Sequence, residues 1–121
     1  MNIEKYLGQV LSDENIINKT YDKKVFYIHA KNATPPYVEY MIINDPTSFY
    51  EENEEKNINY LIQVDIFSKG DFTELKDTII KHLKENGFDR GTSSPDMYEE
   101  DTELYHKALR FNVESFIFED L

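Results

Sequence analysis

Apolar positions along this chain fall into two periods, and the switches between them mark out the elements. Residues 2–11 place Ile3, Tyr6, Leu7, Val10 and Leu11 at spacings of three and four, the stripe of a short helix that packs on a sheet. After the polar stretch SDENIINKTYDKK, the run VFYIHA at residues 25–30 concentrates β-branched and aromatic residues and predicts a first strand. Pro35 and Pro36 then punctuate a turn, because proline fixes φ and donates no backbone hydrogen bond. YVEYMII at residues 37–43 predicts a second strand, and the first pairing is expected to be a hairpin with a longer loop.

Residues 44–57 (NDPTSFYEENEEKN) break every period and carry Glu51, Glu52, Glu54 and Glu55. Like charges at that density repel one another and predict a solvated, mobile loop. Residues 59–67 alternate again. Tyr60, Ile62, Val64 and Ile66 fall on one side, and Leu61, Gln63, Asp65 and Phe67 on the other, as expected of a central strand with one buried and one mixed face. Asp71 with Glu74 three residues later predicts a capping box, and Phe72, Leu75, Ile79, Ile80 and Leu83 supply the stripe of a helix over 72–86. Gly87 is placed to end it in the left-handed conformation.

Residues 88–101, with Gly91, Ser93, Ser94 and Pro95, predict an irregular connection. In the long half-buried strand expected over 105–118, Lys107, Leu109, Phe111 and Val113 alternate with Ala108, Arg110, Asn112 and Glu114. The order helix, strand, strand, strand, helix, strand predicts an α+β fold, with a mainly antiparallel four-stranded sheet and helices packed on one face. With 121 residues and an apolar fraction of 40%, the chain is expected to form a single domain over 1–121.

Charge narrows the function classes. Against 24 acidic residues stand 13 basic ones, a net charge of −11, so the basic field that nucleic-acid backbones demand is missing. Either the acidity solubilises the surface, or the surface must avoid DNA or imitate it. There is no cysteine, hence no disulfide framework and no thiolate chemistry. The N-terminal MNIEKYLGQVL is too short and too interrupted by Glu4, Lys5 and Gln9 for a signal peptide or a membrane span, so a soluble cytoplasmic product is expected.

Candidate chemistry is thin. His29, His82 and His106 lack the i, i+4 pairing that puts two metal ligands on one helical face. No nucleophile elbow or S-x-x-K motif is present, and the four glycines are too scattered to cradle a phosphate. The run at 51–55 lacks calcium-loop spacing. A glycosidase-type pair drawn from Asp96, Glu99, Glu100, Asp101 and Glu103 would need a concave site to hold a substrate. No catalytic residue, cofactor or metal is therefore expected, and His106 is assigned no acid–base role.

Three stretches nevertheless have a recognisable cast: the Pro–Tyr turn into PPYVEYMI, the central YLIQVDIFSKGD before a helix ending in NGF, and DMYEEDTELYHKALRF before the last strand. Together, over residues 37–116, they resemble the small tail-completion, tail-terminator and head–tail joining proteins of long-tailed bacteriophages and prophages. The resemblance implies a non-enzymatic structural protein that forms a ring, a hexamer, at the head-proximal end of the tail tube. Its partners would be further copies of itself, the tail-tube protein and the head-connector protein. DNA would pass without specific binding, no membrane would be involved, and the protein would reside in the virion tail or neck after synthesis in the host cytoplasm.

On that reading Tyr98, Tyr105, Phe116 and Phe118 are candidate aromatic anchors of an interface, with ordinary packing as the alternative for each. Glu51, Glu52, Glu54 and Glu55 form a candidate acidic loop facing the lumen or a partner. That carboxylate run departs from the family pattern. An acidic lumen would repel DNA over the roughly 10 Å that 0.1 M salt leaves unscreened. Three alternatives stay open: a head-completion or neck protein of the same virion, an acidic inhibitor that mimics DNA, and an enzyme.

Overall fold

The computed structural model describes residues 1–44 and 57–121. In it the chain folds as α1 (Ile3–Leu11), α2 (Glu14–Ile17), β1 (Phe26–Tyr27), β2 (Tyr37–Ile42), β3 (Asn59–Ser68), α3 (Thr73–Glu85), β4 (Asp89–Ser93), β5 (Met97–Glu99) and β6 (Leu104–Glu114). A 3-10 turn over Ser115–Ile117 follows. The class is α+β, as the pattern of periods predicts. The sheet, however, is mixed and six-stranded, with the order β1-β2-β3-β6-β4 and β5 also paired to β6.

Three expectations are corrected here. β1 runs parallel to β2, Phe26 opposite Glu39 and Tyr27 opposite Tyr40, so the two do not form a hairpin. The strand is also short, because Ile28 takes a positive φ of 66° and turns the chain away from the ladder. Residues 88–101 are not irregular throughout: β4 and β5 both pair antiparallel with the outer edge of β6. DRGTS and MYE carry no clear apolar alternation. They become strands because β6 offers unpaired backbone groups along that edge, and an unpaired peptide group is costly once buried. β6 itself ends at Glu114 rather than continuing to 118.

The centre of the sheet agrees with the expected alternation. β3 pairs with β6 from Asn59 opposite Glu114 to Ser68 opposite Tyr105, and with β2 from Tyr37 opposite Phe67 to Ile42 opposite Ile62. Val38, Ile62, Val64, Ile66, Leu109, Phe111 and Val113 therefore share one face, and all are buried in one cluster with Leu7 and Leu11 of α1 and Leu75, Ile79 and Leu83 of α3. Burying such side chains contributes about 1.5–3 kcal/mol each. Ile16 of α2, within the stretch read as polar, also joins this core. Tyr6 lies between Phe88 and Phe118, with ring centroids at 5.8 and 5.2 Å, and its hydroxyl donates to the Asn86 carbonyl at 2.9 Å.

Helix ends follow local chemistry. Asn2 Oδ1 accepts from Lys5 N–H at 2.8 Å and caps α1. The capping box expected at Asp71 and Glu74 is only half present. Asp71 accepts from Thr73 N–H at 2.9 Å, one residue ahead of the N-cap position, while Glu74 lies 3.8 Å from Lys19. Gly87 takes φ 91°, as expected. Phe88 N–H reaches back to the Leu83 carbonyl and Gly87 N–H to the Lys84 carbonyl, the paired bonds of a Schellman stop.

Candidate functional site

The second face of the sheet carries the side chains that the helices do not cover. Because strand residues alternate, the register places Tyr37, Phe67, His106 and Met97 directly opposite one another across β2, β3, β6 and β5. The rings of Tyr37, Phe67 and His106 form a transverse stack. Tyr37 lies on Phe67 at 4.9 Å and 21°, Phe67 on His106 at 4.2 Å and 18°, and Phe26 meets Tyr37 edge-on at 6.4 Å. Cross-strand aromatic pairs of this kind contribute about 0.5–1.5 kcal/mol beyond their burial.

A polar network runs beside the stack. Asp65 is only 6% exposed, and its carboxylate accepts from Gln63 Nε2 at 3.0 Å and meets His106 Nε2 at 2.8 Å. Gln63 Oε1 in turn accepts from Arg110 Nε at 3.0 Å. On the other side of the imidazole, Glu99 Oε2 of β5 stands 3.6 Å from Nδ1. A shallow cavity of about 340 Å³ opens over Gln63, Asp65, Ser94, Met97, His106 and Arg110. Tyr37, at the margin of the network, has its hydroxyl held above the usual value by burial first and then by Glu39 and Glu99.

This arrangement clamps neighbouring segments of the chain together. His106 is tied through Nε2 to Asp65 at 2.8 Å, while Nδ1 stands 3.6 Å from Glu99, beyond hydrogen-bond reach. Ser94 is likewise occupied: its hydroxyl donates to the Pro95 carbonyl at 2.9 Å and accepts from Ala108 N–H at 2.9 Å. Lys107 is turned to Asp96 at 2.9 Å and to the Ser94 carbonyl. These contacts hold the β4–β5 connection against β6. Among the described residues no group of three His, Asp or Glu side chains is arranged to hold a metal ion.

The anchors proposed from sequence separate into two kinds. Tyr98 and Tyr105 are opposite one another in β5 and β6, are 50% and 40% exposed, and hold their rings 5.0 Å apart. Phe116, on the 3-10 turn, is 58% exposed. Phe118 is 3% exposed and lies in the core against Tyr6 and Tyr60, so the anchor reading is corrected for it: its ring is spent inside the molecule. Glu51, Glu52, Glu54 and Glu55 lie outside the described residues.

The Asp65–His106 pair escaped sequence reasoning. Forty-one positions separate the two residues, and they fall in different stretches of the sequence with nothing local to link them. The one usable signal was an acid on the mixed face of the central strand. Such a residue needs a buried partner, and the neighbouring strand is the nearest place to find one. No protein-family model matches the chain, and no curated protein matches it. Among the described residues no helix is long and apolar enough to cross a membrane.

Proposed function

We propose that this chain is a non-enzymatic tail-completion protein of a long-tailed phage or prophage, which forms a ring at the head-proximal end of the tail tube. The observation that carries the reading is the exposed cross-strand pair Tyr98 and Tyr105, which alternation puts on the helix-bearing side of β5 and β6, at a point the helices leave uncovered. Aromatic side chains held in place by packed neighbours suit an interface core, because little conformational freedom is lost when they dock. The type of assembly comes from the resemblance of PPYVEYMI, YLIQVDIFSKGD and DMYEEDTELYHKALRF to that family. The engagement of His106 Nε2 by Asp65 and of the Ser94 hydroxyl supports a structural role. A net charge of −11 suits a conduit through which DNA passes without adhering.

Mass in solution, measured by light scattering after size exclusion over a range of protein and salt concentrations, tests this reading when joined to negative-stain imaging. A six-fold ring is expected, or a monomer that becomes one on adding tail-tube protein. A monomer indifferent to tube protein would overturn the reading. Tight, salt-sensitive binding to a nuclease by such a monomer would establish the DNA-mimic class instead.

A further inference from the structure

The two margins of the sheet carry opposite charge around exposed aromatic and apolar side chains. At the β1 margin, Tyr27 is 40% and Ile28 53% exposed. Lys23, Lys24 and Lys31 surround them in sequence, and both acids at this margin are held by backbone N–H groups: Asp22 Oδ2 accepts from Thr34, and Glu39, opposite Phe26 in β2, accepts from Ala30. At the opposite margin, Tyr98 and Tyr105 are set among Asp96, Glu99, Glu100, Asp101 and Glu103, with no basic residue between 96 and 105. Asp96 is neutralised by Lys107, and Glu99 faces His106. Glu100, Asp101 and Glu103 are exposed and enter no ion pair among the described residues.

Ile28 is presented at a cost. His29 N–H bonds to the Tyr27 carbonyl at 2.7 Å across Ile28, whose φ is 66°; this is a γ-turn of the rare, strained hand. A β-branched side chain is especially unfavourable there, and Ile28 remains 53% exposed. Tyr27, meanwhile, leans on Tyr40 at 5.4 Å. Neither edge invites an added strand: β1 has two residues, and the β4–β6 register breaks between Arg90 and Ser93. Contact through side chains is what remains.

Resting on the ring reading above, we infer that the β1 margin of one copy docks on the β5–β6 margin of the next, Tyr27 and Ile28 against Tyr98 and Tyr105, with Lys24 and Lys31 facing Glu100 and Asp101. Two different patches at opposite margins of one sheet give the head-to-tail contact that a closed ring requires, and charge complementarity identifies a second copy as the occupant.

A charge swap tests this. K24E/K31E makes both margins acidic and E100K/D101K makes both basic. Each variant alone is expected to associate at least roughly tenfold more weakly than the wild type, with an unchanged circular dichroism spectrum. An equimolar mixture should regain assembly, since each basic margin then meets an acidic one in alternation. Ile28→Gly adds an opposed pair of signs: relief of the positive φ keeps the monomer's thermal midpoint at or above that of the wild type, while association weakens. Rings formed equally well by both charge variants, or variants that fail to recover on mixing, would overturn the docking mode and leave the ring reading standing. A wild-type monomer that never assembles, with or without tube protein, would overturn both.

Discussion

The two faces of the sheet are made from the same strands yet solve different problems. On the covered face, Ile62, Val64, Ile66, Leu109 and Phe111 are fully buried beneath α1 and α3, and stability comes from apolar area. On the open face, Tyr37, Phe67 and His106 stack side by side while Asp65, Gln63 and Arg110 bond along the adjoining rows. Removing water is the main gain on the first face. On the second, water stays close, and fixed geometry is the main product. The lesson is that a half-buried face can be ordered by directional contacts when no helix covers it.

Truncating matched aromatics should show the contrast most strongly. Phe111→Ala, at a fully buried position, is expected to cost about 3–5 kcal/mol, whereas Phe67→Ala on the open face should cost about 1–2 kcal/mol. Urea midpoints read both; equal losses would mean that the open face is as much a core as the covered one. Next in size is Asp65→Ala, which leaves Gln63 Nε2 and His106 Nε2 without their acceptor and should cost about 2 kcal/mol. If amide exchange in β5 also quickens in that variant, the network holds the β5 segment as well as the central strand.

Alkaline titration separates the faces more finely. Tyr6 on the covered face is held above its ordinary 10.0 by burial, and Tyr37 on the open face by burial and then by Glu39 and Glu99. Tyr40 is raised as well, by burial, Glu4 and Tyr27. The fold thus favours the protonated phenols. Their contribution is present in full below pH 10.0 and is lost as pH rises through the higher folded values. Tyr6→Phe and Tyr37→Phe should each flatten that loss, and added salt should lessen the Tyr37 component, which is partly coulombic, more than the Tyr6 one.

The smallest effect lies at the acid end. Asp71 is lowered from 3.8 by the backbone and then the side-chain hydrogen bond from Thr73. Its contribution is present above 3.8 and disappears as pH falls through the lower folded value. Asp71→Asn should remove that component while leaving the alkaline limb unchanged, as paired pH–stability curves would reveal.

Local rules written into the sequence by themselves determined α1, β3, α3 and its stop at Gly87, and most of β2. In each case the information lies within a few neighbouring residues: a period of 3.6 or 2, or a glycine where φ must be positive. Only the tertiary structure decided the rest. Parallel pairing of β1, strand formation in DRGTS and MYE, and the shortening of β6 depend on which backbone edges meet, and no side-chain period encodes that. The same holds for Phe118, an apolar residue at the end of an alternating run, which turns inward because a 3-10 turn follows Glu114. Asp65 and His106 were legible as polar residues, but their meeting was not. A hydrogen bond between side chains on adjacent strands is set by register, and register is fixed only when the whole sheet buries its apolar face.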